Sequence, residues 1–216
     1  MKSQVIEQVL NGRLIAIVRG LAPDKMLQLA SALLEGGIKM VEVTFNQADP
    51  GSWADTARSI SQISRHFAGR MLVGAGTVLS EGQVEMAREA GAEYIISPGF
   101  DARVVKKTRE MGMVSIPGAF TPTEILSARE AGADFVKVFP AGCVGPGYIR
   151  ALRAPLSHVP LMAVGGVNEK NAADFIRAGC VGLGVGGNLV NREWIEAGAF
   201  DKIRALAREY VKAVQV

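Results

Sequence analysis

The stretch DFVKVFP at residues 134–140 is a nearly all-apolar segment with one lysine in its middle. Side chains alternate along a β-strand, so Phe135, Lys137 and Phe139 face one side and the two valines face the other. A strand that is apolar on both faces is typical of a parallel sheet that is covered on both sides. The stretch therefore predicts a central strand of a parallel α/β fold.

Lys137 is the exceptional residue of this predicted strand. Burial disfavours the ammonium form of a lysine and provides a neutral amine that attacks carbonyl carbons. The alternative is a lysine that extends past the strand end into water, since Pro140 stops the strand three residues later. This stretch by itself is compatible with both interpretations.

Seven further apolar segments are predicted as strands, and helical segments alternate with them. The eight predicted strands are residues 14–18, 40–44, 71–74, 94–96, 114–116, 134–139, 161–164 and 181–185. The predicted helices are residues 3–11, 23–34, 52–67, 81–90, 102–111, 121–132, 146–152, 170–178 and 200–213. This alternation predicts a single (β/α)₈ TIM barrel over residues 1–216, with an extra N-terminal helix. A doubly wound open sheet is the alternative, but no Gly-x-Gly-x-x-Gly motif follows the first strand.

The composition is ordinary for a soluble globular protein, with 49% hydrophobic and 21% charged residues. The net charge is only +3 and no run of basic residues occurs, which argues against nucleic-acid binding. The small excess of positive charge still favours a small anionic substrate. No apolar run approaches the ~20 residues of a membrane span, and the N-terminus lacks an apolar signal core. Cys143 and Cys180 form no metal or disulfide pattern, which predicts a cytoplasmic protein with free thiols.

The carboxyl ends of the predicted strands are where a barrel places its active site. Glu42 lies in the second strand with Val41 and Val43 on the other face, so its carboxylate is expected to point into the barrel. A buried carboxylate is costly unless it is paired or used. Glu42 is therefore either a structural ion-pair partner of Lys137 or the proton carrier that Schiff-base chemistry requires.

Other strand ends carry weaker candidates for substrate binding. Arg19 ends the first strand and offers a fork of donors for a carboxylate or a phosphate. Asn46 follows the second strand and Thr77 the third, and each is either substrate-facing or a turn residue. Glycine pairs, which also simply form turns, close the last two strands, where barrels commonly bind phosphate. These positions are Gly165, Gly166, Gly186 and Gly187, with Asn188 beside the second pair.

Histidine and cysteine provide no metal-ligand spacing. His66 near a helix end and His158 in a connecting loop are predicted to lie on the surface, and Cys143 has no identifiable base. A phosphosugar isomerase or epimerase, with paired carboxylates and metal-binding histidines, therefore has less support. A non-catalytic metabolite-binding barrel leaves Lys137 and Glu42 unexplained.

Seven segments, in this order along the chain, resemble one known family. They are IAIVRG (15–20), VEVT (41–44), VGAGTVL (73–79), ISPG (96–99), IPG (116–118), KVFP (137–140) and VGGV (164–167). The chain resembles the class I aldolases that act on 2-keto-3-deoxy-6-phosphogluconate, its galactonate epimer and 2-keto-4-hydroxyglutarate. The resemblance implies a (β/α)₈ barrel with an added N-terminal helix, a homotrimer, and no metal or organic cofactor.

The resemblance also implies roles for individual residues. Lys137 resembles the Schiff-base lysine, Glu42 the general acid/base, and Thr77 a ligand of the pyruvate carboxylate. Phe139 resembles a wall of the pyruvate pocket, and the glycine pairs resemble the phosphate cradle. The implied reaction cleaves the phosphorylated acid to pyruvate and glyceraldehyde 3-phosphate, with 2-keto-4-hydroxyglutarate as a further candidate substrate.

Some positions depart from the phosphogluconate branch of this family. That branch often has arginine, threonine and serine where this chain has Asn46, Val164 and Asn188. Asn46 and Arg19 look more like the phosphogalactonate branch, whereas Thr44 looks more like the phosphogluconate branch. The preferred C4 epimer therefore stays open at this point.

Overall fold

Nine parallel β-strands alternate with helices in the computed structural model, which describes residues 2–216. Strands β1–β9 are Leu14–Val18, Met40–Thr44, Leu72–Gly76, Tyr94–Ile96, Val114–Ile116, Gly118–Ala119, Val136–Val138, Leu161–Val164 and Gly182–Val185. Helices α1–α10 are Lys2–Gly12, Pro23–Glu35, Trp53–His66, Glu81–Glu89, Ala102–Glu110, Pro122–Glu130, Gly145–Arg153, Ala172–Arg177, Arg192–Glu196 and Phe200–Ala213. The predicted alternation of strands and helices is confirmed.

The sheet closes into a barrel at β5 and β6. Its strand order is β5-β4-β3-β2-β1-β9-β8-β7-β6, so the two ends of the order are consecutive in the chain. The N–H groups of Phe135 and Lys137 donate to the carbonyls of Ser115 (3.3 Å) and Pro117 (2.9 Å), which joins β7 to this segment. The barrel prediction is therefore confirmed, and the open doubly wound alternative is wrong.

Alternation along β7 sorts its side chains as the sequence predicted. Phe135 packs in an inner apolar cluster, whereas Val136 and Val138 belong to the outer cluster between the sheet and the helices. Helix α1 contributes Val5 and Val9 to the inner cluster. The N-terminal helix therefore plugs the end of the barrel opposite the carboxyl ends of the strands.

Several elements differ from the prediction in their bounds or were not predicted. The predicted fifth strand matches β5, and the two-residue strand β6 was not predicted; Pro117, between them, has no N–H to donate to a ladder. The third strand runs to Gly76 rather than residue 74, and helix α9 was not predicted because five residues are too short to show a helical period.

Among the helices of residues 2–216, none has the length and apolar character that crossing a membrane requires.

Candidate active site

A cavity of about 550 Å³ opens at the carboxyl ends of the strands. Most of the residues singled out from the sequence line it, although they come from opposite parts of the chain. These are Arg19, Glu42, Lys137, Phe139, Gly165, Gly166, Gly186, Gly187 and Asn188. The barrel therefore gathers the predicted amine, carboxylate and glycine loops around one space.

Lys137 enters this cavity from β7, between Gly118 on β6 and Met162 on β8. Only 6% of the residue is exposed, so its side chain does not extend past the strand end into water. Burial lowers the pKa of the Lys137 ammonium, and the positive charge of Arg19 adds to the effect, while Glu42 opposes both. A neutral amine is thus more accessible at Lys137 than at an ordinary surface lysine.

Glu42 reaches the same cavity from β2 and is 2% exposed. Burial raises the pKa of its carboxyl group, and the positive charges of Lys137 and Arg19 oppose this rise. Its Oε2 atom is buried without a hydrogen-bond partner among residues 2–216. Among the same residues, no carboxylate oxygen lies within 4.0 Å of the Lys137 amine, the distance limit for an ion pair. Glu42 and Lys137 therefore do not form a structural ion pair.

Tyr94 packs beneath Glu42 and is fully buried. Its hydroxyl donates to the carbonyl of Val41 at 2.6 Å. Gly74 makes room for the ring, because a Cβ at that position would lie 2.2 Å from it. Burial raises the pKa of Tyr94 well above 10.0, with the charge of Glu42 as a further cause, so the phenol stays a neutral donor.

Phe139 forms a wall beside the amine. The Nζ atom of Lys137 lies 4.8 Å from the centroid of the Phe139 ring. Gly165 packs against the Phe139 ring and has a left-handed backbone with φ +85°. A Cβ on Gly165 would come within 3.0 Å of the ring. The carbonyl of Gly165 accepts from the Gly142 N–H at 2.7 Å, so the loop after β8 is held against the loop after β7.

Backbone donors accumulate where the last two strands end. The N–H groups of Gly166, Val167, Gly187 and Asn188 have no hydrogen-bond acceptor in residues 2–216. The Asn188 side-chain nitrogen, by contrast, is engaged, because it donates to one carboxylate and one phenol. Its partners are Glu169 Oε2 at 2.8 Å and Tyr210 Oη at 2.7 Å. Backbone N–H groups left free in this way are suited to binding an anion.

The family model for KDPG and KHG aldolases matches residues 5–206 of this chain. The chain belongs to this family. The protein is therefore an aldolase, an enzyme of the lyase class. The match agrees with the geometry, since a buried amine and a buried carboxyl group with opposite pKa shifts share one cavity that also has anion-binding donors.

Individual relatives of this aldolase fall in both substrate branches. It is 37% identical over 203 residues to 2-dehydro-3-deoxy-6-phosphogalactonate aldolase of Escherichia coli (strain K12), covering 94% of this chain and 96% of the relative. It is 35% identical over 214 residues to 2-dehydro-3-deoxy-phosphogluconate aldolase of Treponema pallidum (strain Nichols), with 98% of each chain covered. The near-equal identities do not separate the two epimers.

A solved structure similar to this aldolase is that of KDPG aldolase from Legionella pneumophila with pyruvate captured at low pH as a covalent carbinolamine intermediate. The two structures superpose with a TM-score of 0.84 at 26% sequence identity. The superposition covers 94% of this chain and 96% of the other. A covalent pyruvate adduct has thus been captured in an enzyme that has this fold.

Two predicted substrate residues lie outside the cavity lining of the aldolase. Asn46 is exposed, and its side-chain oxygen accepts from the Ala48 N–H at 3.1 Å while its carbonyl accepts from Trp53 Nε1 at 2.8 Å. Thr77 is half-buried at the end of β3 and has a left-handed backbone with φ +56°. Such a backbone is rare for a β-branched residue and is found where the surroundings enforce it.

Arg192 is a lining residue of the aldolase that the sequence reading did not find. It is the first residue of α9, and its Nε atom donates to Glu196 at 2.8 Å. The signals in the sequence were an N-capping residue, Asn191, and an Arg/Glu pair four residues apart. Arg192 lines the same cavity as the glycine loops, and its guanidinium is paired with Glu196.

Proposed function

We propose that this aldolase cleaves a six-carbon 2-keto-3-deoxy-6-phospho acid to pyruvate and glyceraldehyde 3-phosphate through a Schiff base on Lys137. One observation carries the proposal. Lys137, whose pKa is lowered, and Glu42, whose pKa is raised, both open into one cavity, and no ion pair joins them. A nucleophilic amine and a separate proton carrier are the two groups that this cleavage needs.

The reaction proceeds through a protonated imine on Lys137. Nζ attacks the C2 ketone, and loss of water gives the iminium ion. Glu42, directly or through a water, takes the proton of the C4 hydroxyl as the C3–C4 bond breaks. The bonding electrons move into the iminium and leave an enamine on Lys137, while C4 departs as the aldehyde. Protonation at C3 and hydrolysis of the imine then release pyruvate and the free amine.

The glycine loops support a phosphorylated substrate. Free N–H groups at Gly166, Val167, Gly187 and Asn188 can bind the phosphate oxygens without help from a hydroxyl side chain. Arg192 places a positive charge in the same cavity. The valine and asparagine that replace hydroxyl residues of the phosphogluconate branch are therefore compatible with a phosphate site built from backbone donors.

The surroundings of Glu42 support loose discrimination at C4. Its Oε2 atom has no partner among residues 2–216, so a water can lie between the carboxyl group and the C4 hydroxyl. A contact through water accommodates either orientation of that hydroxyl better than a fixed partner does.

Reductive trapping tests the proposed chemistry. Borohydride added with pyruvate is expected to attach a reduced adduct to Lys137, which peptide mass spectrometry locates. The Lys137→Ala variant is expected to lose both the adduct and cleavage, because the covalent route disappears. Lys107 is a useful internal control, since its salt bridge to Glu85 raises the pKa of its amine instead of lowering it. An adduct confined to Lys107 and other surface lysines would overturn the proposal.

We also propose that the aldolase assembles as a homotrimer, as the family resemblance implies. Large apolar side chains at Leu79, Leu126 and Val144 are 47%, 39% and 37% exposed in the single chain, which makes them available for contacts between subunits. Light scattering on the purified protein is expected to give three times the 22.9 kDa of one chain. A monomer at micromolar concentration would contradict the proposal.

A further inference from the structure

The loop that follows β3 is held on several sides by hydrogen bonds to its backbone. The Val78 N–H donates to the Ile96 carbonyl at 3.3 Å, and the Val78 carbonyl accepts from the Ser97 hydroxyl at 2.7 Å. The backbone groups on either side, the Thr77 carbonyl and the Leu79 N–H, bond to glutamine side chains. The Thr77 N–H and hydroxyl are left without a partner among residues 2–216.

The two glutamines form a continuous hydrogen-bond relay between these backbone groups. The Leu79 N–H donates to Gln83 Oε1 at 2.8 Å, and Gln83 Nε2 donates to Gln47 Oε1 at 3.1 Å. Gln47 Nε2 then donates to the Thr77 carbonyl at 2.5 Å. The relay thus joins the loop after β2, the loop after β3 and the first turn of α4.

The direction of the relay is set by its two ends. A backbone N–H can only donate, so Gln83 must present its oxygen to Leu79 and its nitrogen to Gln47. A carbonyl can only accept, so Gln47 must present its nitrogen to Thr77 and its oxygen to Gln83. Both amide orientations are therefore determined, and neither glutamine can flip without breaking two bonds.

Gln83 is built into the protein rather than lying on its surface. The residue is 1% exposed, and the Ser80 hydroxyl accepts from its backbone N–H at 3.3 Å. A buried amide that bonds the Leu79 N–H on one side and Gln47 on the other ties the loop after β3 to the loop after β2. The loop after β3 contains Thr77, whose left-handed backbone requires such support.

We infer that Gln47 and Gln83 are positioning residues that hold the Thr77 peptide so that its N–H and hydroxyl meet the substrate carboxylate. The inference rests on the proposed function, in which pyruvate and the 2-keto acid bring a carboxylate next to Lys137. Thr77 directly follows Gly76, which packs against Glu42, so the Thr77 peptide adjoins the wall of the cavity although its side chain is not part of the cavity lining. The relay acts through Thr77 and does not itself contact the substrate.

The experiment measures pyruvate-dependent borohydride trapping at increasing pyruvate in the Gln47→Met and Gln83→Met variants. Methionine has a similar length but cannot relay a hydrogen bond. A carboxylate contact acts equally in the ground state and the transition state, so its loss raises the half-saturating pyruvate concentration and spares the maximal rate. We expect an increase of about tenfold in that concentration, the effect of losing one hydrogen bond to a charged group. The maximal rate is expected to change by less than about threefold.

Two control variants separate positioning from general damage. Gln62→Met makes the same substitution at a glutamine on α3 that takes no part in the relay. Asp101→Ala removes the N-cap of α5, which lowers stability, and the hydrogen bonds of the Asp101 side chain go to Arg103 rather than to either glutamine. Both controls are expected to keep the wild-type half-saturating concentration within about twofold, which is small beside the effect of one lost hydrogen bond.

The Gln47→Met/Gln83→Met double variant supplies a further readout. Because both residues act in one relay, the half-saturating pyruvate concentration of the double variant is expected to be no higher than that of either single variant. Unchanged half-saturation in both single variants, additive effects in the double variant, or an equal increase in Asp101→Ala would each overturn the relay. Gln47 is only half-buried, so its variant gives the answer even if Gln83→Met does not fold. A wild-type enzyme that pyruvate does not label at Lys137 would instead overturn the proposed function, and the carboxylate role of Thr77 with it.

Discussion

Gly76 lies directly against the carboxylate of Glu42: a Cβ on Gly76 would come within 2.6 Å of Glu42 Oε1 and within 2.9 Å of Thr44 Cγ2. Residue 76 is at an inward position of β3, two residues after Gly74, which makes room for Tyr94 in the same way. Two glycines on one strand thus create the space in which a buried carboxyl group and the phenol below it are held. Glu42 keeps its place in the cavity because its neighbour has no side chain.

The first prediction follows from this packing. Gly76→Ala is expected to lower kcat by about 10²-fold, because the added methyl group displaces the Glu42 carboxylate by about 1 Å. Gly82→Ala is the matched control, since nothing lies within 4 Å of a Cβ at that helical position. The control is expected to keep full activity and to be slightly more stable than wild type. Equal activity in the two variants would show that Glu42 does not need this space.

The second prediction separates the catalytic role of Glu42 from its effect on stability. Glu42→Gln is expected to lower turnover by about 10²–10⁴-fold, the usual contribution of general acid–base catalysis. At neutral pH the same variant is expected to unfold at a higher temperature than wild type, because burial makes the charged carboxylate unfavourable in the folded protein. A variant that is both inactive and less stable would instead indicate a structural role.

The pH dependence of that stability difference has a definite sign. The folded pKa of Glu42 is raised above its ordinary value of 4.5, so the folded state binds the proton more tightly than the unfolded state. The resulting stability is fully present below pH 4.5 and is lost as the pH rises through the folded pKa. The advantage of Glu42→Gln is therefore expected to shrink as the pH is lowered toward 4.5. Urea unfolding of both proteins across this range measures it, and a constant difference would contradict the raised pKa.

The third prediction concerns Arg19, whose positive charge lowers the pKa of both Lys137 and Glu42. Arg19→Met is expected to move the acid limb of the pyruvate-trapping profile to higher pH, because the amine of Lys137 is then free only at higher pH. Arg177→Met is the control, since Arg177 is an exposed arginine paired with Asp174 on α8. A profile that stays in place while affinity falls would mean that Arg19 binds substrate without tuning the amine.

The fourth prediction is that activity does not depend on a metal ion. Within residues 2–216, no group of three or more His, Cys, Asp or Glu side chains is arranged to hold one. In the proposed mechanism the iminium on Lys137 withdraws electrons from the breaking bond, which is the task that a metal would otherwise perform. Cleavage rates are expected to be the same before and after exhaustive chelation. Loss of activity that a divalent cation restores would support the epimerase-like alternative.

The barrel and the side of the strand on which Lys137 lies were predictable because both depend on short-range patterns, whereas the sequence left open whether its amine is buried. Alternation along residues 134–139 placed Lys137 with Phe135 on the inner side, and the structure has this arrangement. The position of Glu42 followed from the same period of two on the second strand. Such patterns require only that neighbouring residues of one strand face opposite sides of a sheet.

The parts of the site that the sequence did not reveal depend on side chains that meet across the fold. Gln47 and Thr77 are 30 residues apart, and their hydrogen bond exists only because β2 and β3 are neighbours in the barrel. The fit of Gly76 to Glu42 likewise needs the register between those strands. Arg192 escaped notice for a different reason, since its five-residue helix is too short to show a period.

The last prediction concerns the substrate. We expect higher kcat/KM for the phosphorylated six-carbon 2-keto-3-deoxy acids than for 2-keto-4-hydroxyglutarate. The proposed phosphate site has free N–H groups after β8 and β9, and Arg192 lines the same cavity. The gluconate and galactonate epimers are expected to differ by less than about tenfold, since a water between Glu42 and the C4 hydroxyl leaves less than about 1.4 kcal/mol of discrimination.

Steady-state kinetics on the three substrates, with wild type and Arg192→Met side by side, measure both expectations. Arg192→Met is expected to lower kcat/KM for the two phosphorylated acids and to leave kcat/KM for 2-keto-4-hydroxyglutarate unchanged, because only the former carry a phosphate for the proposed site that Arg192 lines. Equal use of the unphosphorylated acid by wild type would contradict the phosphate site. Strict choice of one epimer would mean that Glu42 contacts the C4 hydroxyl directly, without the intervening water, while the aldolase chemistry on Lys137 would stand.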